Sequence, residues 1–172
     1  RLPLAQQRQD RRGQVQAATT AATGLACFIF RFLRRPQVAG RYTQTGQQLR
    51  IYFPNPCAAL PVRQADGAVA WVAWGRRKEQ PGHLPATGWA RTDSITAGKW
   101  ARYHPQPVHV LVERFMEKDA SGASHWFDLE PGQAIEALLI EHGEERRVYV
   151  VTTTPPQGMP AVHDRWPSLV TA

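Results

Sequence analysis

A β-rich α+β domain is the fold this sequence predicts, and three observations predict it. Short runs rich in β-branched and aromatic residues recur along the chain, each bounded by Gly, Pro or charged turns. No long stretch with a 3.6-residue apolar period occurs outside the N-terminal third. Thirteen Gly and fourteen Pro in 172 residues make the chain loop-rich without reaching a low-complexity composition. With 42% apolar and 20% charged residues, a packed core is within reach and the length favours one domain.

The elements follow in order. Residues 1–23 are polar and Gln/Ala/Thr-rich, with too little large apolar surface to offset ordering entropy. They are expected to be flexible, within a basic N-terminal extension over residues 1–35. Leu25 to Leu33 is a short apolar stretch that reads either as a buried strand or as one amphipathic helix. Pro36 marks a boundary, because proline disfavours helix in the residue before it and interrupts strand ladders. The domain itself is expected over residues 36–172, with strands at Ala68–Trp74, Val108–Phe115, Ala134–Ile140 and Arg147–Thr153.

Charge narrows the function. The net charge is +7. Residues 1–50 carry nine Arg against Asp10 alone, whereas residues 51–172 carry twelve Lys/Arg against thirteen Asp/Glu. A basic arm suits phosphate binding or a solvated tail, and any groove in the remainder must be basic by arrangement. No apolar run approaches the roughly 20 residues needed to cross a bilayer, so no membrane partner is expected. The two Cys make no disulfide scaffold and there is no CxxC, so a reducing, cytoplasmic setting is the default. Six scattered His lack ligand spacing, and no phosphate-binding glycine loop or G-x-S-x-G elbow occurs. Neither a metal nor another cofactor is expected.

What remains is a set of short motifs in a particular order: Gly40-Arg41-Tyr42, Trp74-Gly75, Ala90-Arg91-Thr92-Asp93, Arg114-Phe115-Met116-Glu117, Thr152-Thr153-Thr154 and Val162-His163-Asp164-Arg165-Trp166-Pro167. This order resembles the SOS-response-associated peptidase family, the abasic-site-processing proteins. Their motifs are Cys-Gly-Arg-[Phe/Tyr], Trp-Gly, Asn-Ala-Arg-x-Glu, Gly-Phe-[Tyr/Phe]-Glu-Trp, Thr-Thr and Ile-His-Asp-Arg-x-Pro. The likeness spans about residues 38–167. It implies a single domain of short strands around a central cleft, acting in the DNA damage response on single-stranded DNA, abasic sites included. It also implies that Glu117 and His163 move protons beside the position of the family's nucleophilic Cys, which here is Ala39. Arg41, Trp74, Trp89, Arg91 and Arg165 fall at positions that line the DNA groove or the site.

The departures bear on the chemistry. Family members trap the ring-opened abasic aldehyde with the α-amine and thiol of a terminal Cys, closing a thiazolidine. Ala39 has no thiol and is internal in this sequence; Trp89 stands where the family has Asn, Asp93 where it has Glu, and Lys118 where it has Trp. Cys27 lies in the apolar LACFIF run, and Cys57 lies in a segment, 55–62, that resembles the family's Asn-x-Ala-Pro loop. Neither precedes Gly-Arg-[Phe/Tyr].

Each candidate also has a bland reading: Glu117 as a strand-end carboxylate, His163 as a structural imidazole, Trp74 and Trp89 as core. Arg91 and Arg165 would then be local ion-pair partners of Asp93 and Asp164, and Arg76-Arg77-Lys78 solvated loop charge. Three functions stay open on sequence alone. One is a divergent, non-crosslinking binder of single-stranded or abasic DNA. Another is an active crosslinking enzyme whose functional N-terminus is not the one written here, and the third is a non-enzymatic interaction module.

Overall fold

A computed structural model of the chain describes residues 29–32, 49–119, 121–157 and 165–171. In chain order its elements are β1 (Ile29–Phe32), β2 (Leu49–Tyr52), β3 (Ala59–Arg63), β4 (Val69–Trp74), β5 (Trp89–Arg91), the short helix α1 (Thr92–Thr96), a 3-10 turn (Ala101–Tyr103), β6 (Gln106–Val110), β7 (Arg114–Lys118), β8 (Ser124–Asp128), β9 (Gln133–His142), β10 (Glu145–Thr153), β11 (Trp166–Pro167) and β12 (Leu169–Thr171). Strands dominate and helices are few.

Five strands close on themselves. β4 pairs with β3, β3 with β6, β6 with β9, β9 with β10, and β10 returns in parallel to β4. This ring is a small barrel, and a barrel of this size has room inside only for side chains. Alternation supplies them: Leu60 and Val62, Val72 and Trp74, Val108 and Val110, Ile135, Ala137 and Leu139, and Val148 and Val150 form one buried cluster. The residues between them on β9 and β10 face the other way. Leu138, Ile140, Tyr149 and Val151 join Leu84, Ala90 and Trp100 in a second cluster, with Ile95 of α1 packed against it. β10 is buried on both faces, which explains its unbroken Val148–Val151 run.

A second, antiparallel sheet runs β2-β1-β7-β8. Its inner residues Ile51, Phe115 and Phe127 pack into the barrel's cluster. β11 and β12 pair with β10 and β9 respectively, beyond the stretch where those two strands pair with each other.

Three sequence expectations change. The strand expected at Val108–Phe115 is two: Leu111–Glu113 carry the chain from the barrel (β6) to the second sheet (β7). The loop expected over 55–62 is a turn, closed by hydrogen bonds from Asn55 N–H to Tyr52 O and from Ala58 N–H to Asn55 O, followed by strand β3. The apolar stretch at 25–33 contains strand β1, which pairs with β2 and β7 although it lies within the residues expected as an extension. The rest of residues 1–35 lies outside the described residues.

Candidate functional site

Glu117 is where chemistry concentrates. Phe115, Met116 and Glu117 are all buried, Glu117 completely. By alternation Glu117 shares the face of Phe115, which looks toward the barrel. Neither carboxylate oxygen has a hydrogen-bond partner among the described residues. Burial pushes this carboxyl from its ordinary 4.5 up to about 8, because charging it there forfeits hydration. At neutral pH it is therefore mostly a neutral acid, with a proton to give and an oxygen to receive.

The strand that carries Glu117 meets the last motif of the chain. The Phe115 ring lies 4.8 Å from that of Trp166 in an edge-to-face arrangement, and Phe127 lies 4.5 Å from the same indole. Trp166 follows Arg165 directly and pairs with Thr153, while Pro167 pairs with Thr152. Thr152 is buried with its hydroxyl lacking a partner among the described residues, and its carbonyl accepts from the Thr92 hydroxyl at 2.8 Å. Alternation along β10 sets Thr152 on the face of Val148 and Val150. Two buried polar groups, Glu117 and Thr152, are thus carried on the inward faces of neighbouring layers. Arg165, directly before Trp166 in the chain, is half-buried.

Trp74 requires a correction. It is fully buried, donates its indole N–H to Gly88 O at 2.9 Å, and packs edge-on against Phe53 at 5.2 Å. It offers no face to a base and serves the core. Trp89 is half-buried, 4.5 Å from Phe53 and 5.9 Å from Trp74, the outermost ring of an aromatic triad. Gly75 has a local reason of its own. Its φ is +51°, and a Cβ there would stand 2.1 Å from Thr87 O.

The Arg76-Arg77-Lys78 triplet is also not a solvated run. Arg76 donates to Leu84 O and Gln80 O at 2.6 and 2.7 Å. Arg77 is buried, donates to Phe53 O and Trp74 O, and rests 4.2 Å above the Phe53 ring. Arg76 satisfies carbonyls of the loop between β4 and β5, Arg77 ties the turn after β2 to the end of β4, and Lys78 is left as the exposed member.

Arg91, at the end of β5, grips Asp93 through Nε and Nη2 at 2.9 and 2.7 Å, with both side chains about half exposed or more. The ion pair expected as its bland reading is present. The guanidinium in turn holds the Asp93 carboxyl below its ordinary range. Ala39, Arg41 and His163 lie outside the described residues. Cys57 is exposed and reduced, on the turn before β3, with its backbone N–H bonded to Asn55 Oδ1; Cys27 lies outside the described residues.

Sequence reasoning overlooked the group next to Glu117. His125 is its direct cross-strand partner on β8, and His125 Nε2 lies 2.7 Å from Asp119 Oδ2. The Ser121 hydroxyl, then His125, hold the Asp119 carboxyl far below the usual carboxylate range. The signal was there: Asp119 starts a tight turn whose Ser121 and Ala123 N–H groups bond its Oδ1. A hairpin centred on residue 121 sets 117 opposite 125.

Among the described residues no group of three or more His, Cys, Asp and Glu is arranged to hold a metal ion, and no helix is long and apolar enough to cross a membrane. Comparisons with protein-family models, curated proteins and solved structures give no match to this chain.

Proposed function

We propose that this protein is a divergent, SOS-response-associated peptidase-like protein of the DNA damage response that binds single-stranded DNA, and abasic sites in it, without forming a covalent adduct. The motif order in the sequence supports the family. The observation that carries the reading is the meeting of the Arg114–Glu117 and Arg165–Pro167 motifs through Phe115 and Trp166, with a completely buried carboxyl on the same face as that contact. In this reading the side chains that enclose Glu117 move aside for an unstacked deoxyribose, and the carboxyl, protonated at neutral pH, donates a hydrogen bond to one of its oxygens. A neutral acid in a dry site is suited to that role. Ala39 supplies no thiol, so thiazolidine closure does not follow. Arg91 and Arg165 are the phosphate-facing candidates, their planar guanidinium suiting bidentate contact.

Fluorescence anisotropy with labelled oligonucleotides tests this. The expected order of affinity is abasic single strand, then intact single strand, then duplex, and Glu117→Met, which keeps the chain length but has no hydrogen to donate, should erase most of the abasic preference while sparing binding to the intact strand. Equal affinity for all three would overturn the reading, as would an abasic preference untouched by the substitution. A band shifted on a denaturing gel after incubation with an abasic oligonucleotide would replace it with the covalent alternative.

A further inference from the structure

Strand β7 has two faces, and the one turned away from the barrel carries charge in rows. Following the register across the second sheet, Arg50, Arg31, Arg114 and Asp128 occupy successive positions on β2, β1, β7 and β8. The next row on that face runs Tyr52, Ile29, Met116 and Trp126. Lys118 begins a third, opposite Ser124. Ten register positions therefore hold four basic residues and one acid. Arg50, Tyr52, Lys118 and Asp128 are exposed at its margins, Arg114 and Trp126 are half-buried, and Met116 between them is completely buried.

Neighbouring strands lie roughly 4.8 Å apart, and like charges directly opposite each other destabilise a sheet. Three arginine positions in one row are thus an arrangement that folding alone disfavours. Asp128 offsets part of it, with Oδ1 2.5 Å from Arg114 Nε. Trp126 offsets more, because the Arg50 and Arg114 guanidinium carbons stand 5.9 and 5.6 Å from its ring centroid. What is left is the exposed Arg50 and Lys118 and the half-buried Arg114 beside two aromatic side chains, Tyr52 and Trp126. A polyanion whose charges repeat along a line, and whose units carry flat rings, complements both features.

We propose that this outer face of the second sheet is a docking surface for the backbone of single-stranded nucleic acid, separate from the Glu117 site on the opposite face of β7. The inference deepens the single-strand reading above and rests on it for the class of ligand. Arg50 and Arg114 contact phosphates, while Trp126 holds their guanidiniums in place and shares its free edge with a base.

The test is anisotropy with an intact labelled oligo-dT, with salt titrations, on the full chain and on three variants. Arg50→Glu should weaken binding on the order of tenfold and flatten the salt dependence by roughly one phosphate contact. Arg50→Lys keeps the charge and should recover most of the affinity, which a mere folding defect would not allow. Trp126→Leu should weaken binding several-fold with little change in salt slope. The idea is overturned if Arg50→Glu binds as the parent does at every salt concentration, if duplex of equal length binds equally well, or if polyglutamate competes as effectively as oligo-dT. An abasic preference that persists with an unaltered Arg50→Glu variant sinks this surface alone. Loss of affinity in Arg50→Glu without any abasic preference in the parent sinks the Glu117 reading alone.

Discussion

Replacing Glu117 by glutamine isolates the cost of ionising a carboxyl inside the protein, since glutamine matches its shape and never charges. The unfolded chain ionises this group near its ordinary 4.5, whereas the folded chain holds the proton up to about 8. Between those values the native state binds more protons than the unfolded one, so stability falls as pH rises, by about 1.4 kcal/mol per pH unit from this residue. Below the window both states are neutral, and the contribution to stability is fully present. Above it both are charged, and the contribution is lost. The full shift corresponds to on the order of 5 kcal/mol, and side-chain relaxation with water entry brings the expected figure to about 2–5 kcal/mol. Urea unfolding followed by circular dichroism at half-unit steps from pH 4.5 to 9 measures it. The glutamine variant should match the parent near pH 4.5 and exceed it by about 2–5 kcal/mol at pH 9, the difference between the two cancelling every other titration. A difference that stays flat with pH would show that Glu117 is not the buried acid described here. A variant less stable than the parent at alkaline pH would mean that its carboxylate is paired.

Three further outcomes follow from the same geometry. Gly75→Ala should cost more than 2 kcal/mol in chemical denaturation, since the new Cβ meets the Thr87 backbone oxygen at a left-handed φ; a loss under 0.5 kcal/mol would contradict the close approach. Arg77→Ala should cost about 2–4 kcal/mol, because two buried carbonyls, Phe53 O and Trp74 O, lose their donor, whereas Lys78→Ala should be neutral within about 0.5 kcal/mol by the same assay. In a carbon-detected NMR titration Asp119 should stay ionised well below the pH at which an ordinary aspartate protonates, and Ser121→Ala should move its midpoint upward; an unperturbed midpoint in the parent would refute the hydrogen bonds drawn to it.

Much of the strand content was legible because apolar and β-branched runs announce themselves. β4, β9 and β10 fall within two residues of where pattern sets them. The break between β6 and β7 was not legible, since apolar residues recur from Val108 to Phe115 and a change of partner strand leaves no mark in one-dimensional pattern. Strand β3 was masked by Pro61, a residue that argues against a central strand; within the ladder it pairs with Trp71, and its carbonyl accepts from Leu111 N–H. The tryptophan of the Trp-Gly pair invites a stacking role in sequence, yet its neighbours in space, Phe53 and Gly88, make it core.

From the sequence by itself came the β-rich class, the concentration of arginine in the first fifty residues, and the choice of Glu117 as a residue worth watching. The first two are properties of composition and of local period, which survive in any arrangement of the strands, and the third comes from the motif resemblance. Tertiary structure alone decided that Glu117 is wholly enclosed and Trp74 is core, that Arg77 is a structural cation, and that Arg50, Arg31 and Arg114 share one row. Each of these depends on which strands lie side by side, and hence on pairings between residues up to 87 positions apart (Ile29 with Met116); the desolvation and charge proximity that set reactivity arise only once those strands have met.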